Sequence, residues 1–103
     1  MEIGKIPPQD IEAEQAILGS MLTDQDAVTD AIEVLKPEDF YRDDNKYIFE
    51  AMNNLYAKGE PIDIITVKAE LTSMQKFEAV GGIEYLATLP DKVPLVSNAD
   101  KYI

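Results

Sequence analysis

Between Ile11 and Leu22 apolar residues recur at the period of a helix, and this spacing constrains the fold more than any other feature of the chain. Ile11, Leu18 and Leu22 fall on one side, with Ala13, Ile17 and Met21 beside them. Such a broad apolar face belongs to an amphipathic helix that buries one side. Glu12, Glu14, Gln15 and Ser20 lie mostly on the other side and are expected to meet solvent. Asp10 stands at the N-cap position, where its carboxylate can accept from first-turn amides. Acids just behind it suit the positive end of the helix dipole. Ala13 occupies the place where a capping box needs Glu or Gln, so the box is absent. Gly19 costs about 1 kcal/mol against alanine inside a helix. The simplest reason to keep it is a neighbouring element packed against the backbone. This helix is expected to be the one around which the others pack.

The same period returns between clear punctuation. Thr23-Asp24-Gln25-Asp26 reads as a turn that caps a second helix carrying Val28, Ala31, Ile32 and Leu35. Lys36-Pro37 stops it, and Pro37 suits the start of a short turn that delivers Phe40 to the core. Arg42-Asp43-Asp44-Asn45 opens a third helix with Tyr47, Ile48, Phe49, Ala51, Met52, Leu55 and Tyr56, closed by Lys58 and Gly59. Glu60-Pro61-Ile62-Asp63 is a linker ending in another N-cap. Ile64, Val67, Leu71 and Met74 then form a helical stripe, which outweighs the β-branched run Ile65-Thr66-Val67. After a turn at Phe77–Val80, Gly81-Gly82 permits a sharp reversal. A short helix from Ile83 to Leu89 follows, with Ile83, Leu86, Ala87 and Leu89 inward and Tyr85 at the edge. Pro94 starts a last helix that is still periodic at Ile103, so the natural polypeptide is expected to continue. The expected architecture is an all-α, compact orthogonal bundle of about five or six short helices over residues 10–103. Residues 1–9, with Pro7-Pro8, form an extended N-terminal arm.

Composition closes off several kinds of chemistry. The chain has 103 residues, 46% of them hydrophobic, enough for one domain with a core of its own. Cysteine and histidine are both absent, which removes disulfides, thiolate metal sites and the usual neutral-pH proton shuttle. No apolar run approaches the roughly 20 residues of a membrane span, and the start does not read as a signal peptide. The cytosol is the default location. Formal charge is −11. Residues 1–50 hold 13 acids and 4 bases, or −9, against 7 and 5, or −2, in residues 51–103. Such a surface repels phosphates, so strong nucleic-acid binding by this segment is not expected. Scattered acids on a small domain serve solubility first.

No catalytic motif emerges. Asp24-x-Asp26 resembles the start of an EF-hand loop, but the fifth, sixth and twelfth positions are Val28, Thr29 and Leu35. Asp43-Asp44 beside Asp39 could bind magnesium weakly, yet helix capping accounts for these acids. There is no Walker A pattern and no G-x-G-x-x-G, and Gly81-Gly82 lacks the following Lys-Ser. Without histidine the usual serine or cysteine triads cannot form. The segment reads as an interaction module with no catalytic, cofactor-binding or metal residues.

Several stretches taken together carry a family resemblance. Ile6-Pro7-Pro8-Gln9 and Ile11-Glu12-Ala13-Glu14-Gln15-Ala16-Ile17-Leu18-Gly19 resemble the start of bacterial DnaB-type replicative DNA helicases. Pro37-Glu38-Asp39-Phe40-Tyr41, Ile48-Phe49, Gly59-Glu60-Pro61-Ile62-Asp63, Gly81-Gly82-x-x-Tyr85-Leu86 and Val93-Pro94 continue it in order. The resemblance covers nearly the whole chain. It implies the N-terminal domain of such a helicase: a helical head followed by a helical hairpin, which this chain enters near Tyr102. It also implies a collar of six copies above a ring of motors, with primase recruited to the collar and a helicase loader as a further candidate partner. ATP and Mg would belong to the parent's motor domain, absent here. This fragment is then no enzyme, although its parent is an ATP-dependent helicase. Within the resemblance, Glu12 and Tyr85 become candidate partner-binding residues. The blander account is that Glu12 complements the helix dipole and Tyr85 packs. Two rival functions are an independent acidic helical protein that occupies a basic surface, and a carboxylate-metal hydrolase.

Overall fold

In a computed structural model, which describes Ile6 and residues 10–93, five α-helices and two 3-10 turns enclose one core. The helices are α1 (Ile11–Thr23), α2 (Gln25–Val34), α3 (Asp43–Ala57), α4 (Ile64–Ser73) and α5 (Gly82–Thr88). The 3-10 turns are Pro37–Asp39, before α3, and Leu89–Lys92, after α5. There is no strand among the described residues, and the all-helical expectation holds. The last helix expected from Pro94, the hairpin entry and most of the N-terminal arm lie outside the described residues. Of that arm, Ile6 is buried in the core.

Sequence punctuation sets most of the boundaries. The Asp10 side chain accepts from Ala13 N–H at 3.0 Å and starts α1. Asp24 alone separates α1 from α2: its N–H donates back to the Ser20 carbonyl, and its carboxylate accepts from Asp26 N–H. One residue thus ends one helix and begins the next. Asp63 and Thr66 cap α4 reciprocally, with N–H to side-chain oxygen distances of 2.8 and 2.9 Å. Helix α3 ends in a Schellman motif, Gly59 N–H donating to Tyr56 and Glu60 N–H to Leu55. Helix α4 ends the same way at Gln75 and Lys76, which forces Gln75 to a φ of 61°.

Phe40, carried in by the Pro37–Asp39 turn, is 2% exposed and stacks on Phe49 of α3 with ring centroids 4.9 Å apart. Leu18 and Met21 of α1, Val28 of α2, Met52 of α3, Leu71 of α4 and Leu86 of α5 meet in the same cluster. Helix α1 packs against α2, α3 and the Leu89–Lys92 turn. Its Gly19 explains itself there: a Cβ at that position would stand 2.1 Å from the Leu89 carbonyl oxygen. The neighbouring backbone occupies the space a side chain would need.

Two expectations about faces are corrected. Glu14 and Ser20, placed on the solvent side of α1, are buried. With neighbours on several sides, α1 has little free surface, and Glu14 finds partners inside the protein. Ile83 and Ala87, expected inward, are exposed, while Leu86 and Leu89 fill the core. Helix α5 is only seven residues long, and its entry through Gly81 and Gly82, at φ 98° and 65°, sets which face turns in. The chain then continues through Pro90 as a 3-10 turn, where proline at the start costs no hydrogen bond.

Candidate interaction surface

Glu14 is the key to the surface that carries both candidate residues. Its carboxylate is fully buried on α1 and has no cationic partner within salt-bridge distance among the described residues. It is held by three N–H donors instead. Tyr41 N–H donates at 2.5 Å, the Asn45 side-chain amide at 2.9 Å, and Arg42 N–H makes a long contact at 3.5 Å. These donors lie at the N-terminal end of α3, where backbone amides are unpaired and the dipole favours an anion. Glu14 therefore caps α3 from another helix. Only this arrangement makes a buried carboxylate tolerable.

That bond orients Asn45, itself fully buried. Its amide nitrogen faces Glu14, so its oxygen faces away and accepts from the Tyr85 hydroxyl at 2.6 Å. The Tyr85 oxygen in turn accepts from the Gln15 side-chain amide at 3.2 Å. Helices α1, α3 and α5 are tied together by this one polar chain. Over the Tyr85 ring lies the Arg42 guanidinium, 5.5 Å from the centroid. Arg42 is itself ion-paired to Asp44. Half-burial raises the Tyr85 pKa above its ordinary value, and the hydrogen bond from Gln15 opposes part of that rise.

Tyr85 is thus half-buried, with its hydroxyl turned into the protein and part of its ring at the surface. Glu12 is exposed on α1. It lines an open cleft of about 460 Å³ with Asp10, Ala13, Gln15, Ala16 and Lys92. Gln15 belongs both to this cleft and to the polar chain ending on Tyr85, and so it links the neighbourhoods of the two candidates. Sequence reading missed Glu14, Gln15, Arg42 and Asn45 as parts of this site. The partners of Glu14 lie 27 to 31 residues away, beyond the reach of helical periodicity.

The acids once weighed as metal ligands have other tasks. Asp24 caps α2, Asp39 accepts from Lys36 N–H at 2.9 Å, Asp43 pairs with Lys46, and Asp44 pairs with Arg42. Among the described residues no group of three or more acids is placed to hold a metal ion, and no helix is long and apolar enough to cross a membrane.

Comparison with known proteins places this geometry in a family. Residues 6–103 match the model of the DnaB-like helicase N-terminal domain. The chain is 48% identical over 98 residues to a replicative DNA helicase DnaB of Geobacillus stearothermophilus, covering 95% of this chain and 22% of that one. It is 44% identical over 101 residues to the replicative DNA helicase DnaB of Mycobacterium leprae, covering 98% and 17%. The chain therefore spans about a fifth of the length of these curated relatives. Among solved structures, the N-terminal domain of DnaB helicase from Mycobacterium tuberculosis superposes with a TM-score of 0.81 at 46% identity, covering 86% of this chain and 62% of that one.

Proposed function

Because the chain belongs to the family of DnaB-like helicase N-terminal domains, we propose that it is the collar module of a replicative DNA helicase. In this reading it brings six copies together and recruits primase, with a helicase loader as a further partner. The parent protein unwinds duplex DNA in the cytoplasm, using ATP and Mg in a motor domain outside this chain. The module itself works by binding proteins and catalyses nothing. One observation carries the reading: the match runs along nearly the whole chain and extends to a solved N-terminal domain of the same fold at 46% identity. The acidic surface is consistent with it, since a charge of −11 suits protein contacts better than a grip on phosphates.

Primase docks, in this proposal, on the face that carries Glu12 and Tyr85. Tyrosine is enriched at the cores of interfaces, and a half-buried ring is already fixed before the partner arrives. The test is primase stimulation of the full-length helicase carrying Glu12→Ala or Tyr85→Ala. Loss of stimulation with unstimulated ATPase unchanged is the expected result. Normal stimulation of both variants would contradict the assignment.

A further inference from the structure

We propose that Arg42 is a second anchor for the same partner, acting as one unit with the ring of Tyr85. This rests on the reading that Tyr85 faces primase. Arg42 is the only arginine in the chain, and its side chain keeps 42% of its surface exposed over the Tyr85 ring. One of its amino groups donates to Asp44. Its other guanidinium N–H groups have no hydrogen bond among the described residues. A flat cation stacked on an aromatic ring with unspent donors suits a carboxylate on the partner, which can accept two parallel N–H bonds. Arginine and tyrosine are also the residues in which binding hot spots concentrate.

The polar chain behind the pair decides which part of Tyr85 a partner meets. Glu14 can only accept, so Asn45 must turn its nitrogen toward it and its oxygen toward Tyr85. The hydroxyl proton is spent on that oxygen, and one of the oxygen's lone pairs on Gln15. Ring and guanidinium are left as the recognition elements. Asn45 and Gln15 take up the hydroxyl's hydrogen bonds, so that it is not offered to a partner.

The experiment measures primase affinity for the full-length helicase by calorimetry, with melting temperature and unstimulated ATPase measured alongside. Arg42→Lys keeps the charge and loses the flat fork, and it is expected to weaken binding about tenfold, the same as Arg42→Ala. Tyr85→Phe keeps the ring and is expected to stay within about threefold of wild type, whereas Tyr85→Ala loses at least tenfold. Wild-type affinity for Arg42→Lys, with Tyr85→Ala impaired, would overturn the role of Arg42 alone. So would an equal loss in Tyr85→Phe and Tyr85→Ala, because the hydroxyl would then be the contact. Wild-type affinity for Tyr85→Ala would remove the docking surface itself. Arg42 is half-exposed, so Arg42→Lys reads binding even if Tyr85→Phe unsettles the fold.

Discussion

Single residues in unusual environments hold this structure to one shape. Glu14 satisfies three N–H donors from the interior, and glutamine in its place would turn an amide group toward some of them. Glu14→Gln is expected to cost about 2 kcal/mol in urea unfolding, the usual penalty for spoiling hydrogen bonds to a buried charged group. A wild-type midpoint would show that the carboxylate carries no such load. Gln75 presents the opposite case, an L-residue at φ 61° in a helix-ending position that favours glycine. Gln75→Gly is expected to stabilise by about 0.5 kcal/mol, because relief of the left-handed strain exceeds the added chain entropy. A fall in melting temperature would contradict this. Tyr85 links stability to alkaline pH. Its folded pKa is raised, chiefly by burial, so its contribution is fully present below the unfolded value and is lost as pH rises through the folded one. The unfolding midpoint should decline above about pH 10, and less steeply in Tyr85→Phe.

Among elements, α1 decides the arrangement, and its contact with the Leu89–Lys92 turn is the tightest test of that. Gly19→Ala would force a Cβ onto the Leu89 carbonyl oxygen. Overpacking of this kind costs about 1–3 kcal/mol, against roughly 1 kcal/mol regained in helix propensity. A net loss of stability is expected, and a gain would mean that the two backbones are not in contact. Much of this element level was legible in the sequence. Asp10, Asp24 and Asp63 announced their helices because capping is local, and Gly19 pointed to a close neighbour as the simplest reason to keep glycine inside a helix. The faces of short helices were less legible. Seven residues of α5 make about two turns, too few for the period to fix one face, and the structure buries Leu86 while leaving Ile83 exposed. The polar chain from Glu14 to Gln15 was not legible at all. Glutamate on a helix reads as solvent-facing until the N-terminal end of α3 arrives beside it from a distant part of the sequence.

For the molecule as a whole, charge and exposed surface bear on assembly. Among the described residues, the large apolar ones left exposed, Val34, Tyr41, Tyr56, Ile65 and Ile83, belong to four different helices and one loop. Single exposed apolar residues do not amount to an interface, and a charge of −11 sets copies against one another. The 103-residue chain alone is therefore expected to sediment as a monomer or weak dimer. Stable hexamers at micromolar concentration would place the assembly contacts inside these residues. A helical head built around α1 is expected to present one fixed face to a protein partner. Hydrogen exchange of the full-length helicase, with and without primase, tests it most directly. Added primase should slow exchange in the first half of α1, at the start of α3 and in α5. Protection confined to α4 and the linker before it, with those three segments unchanged, would contradict the account.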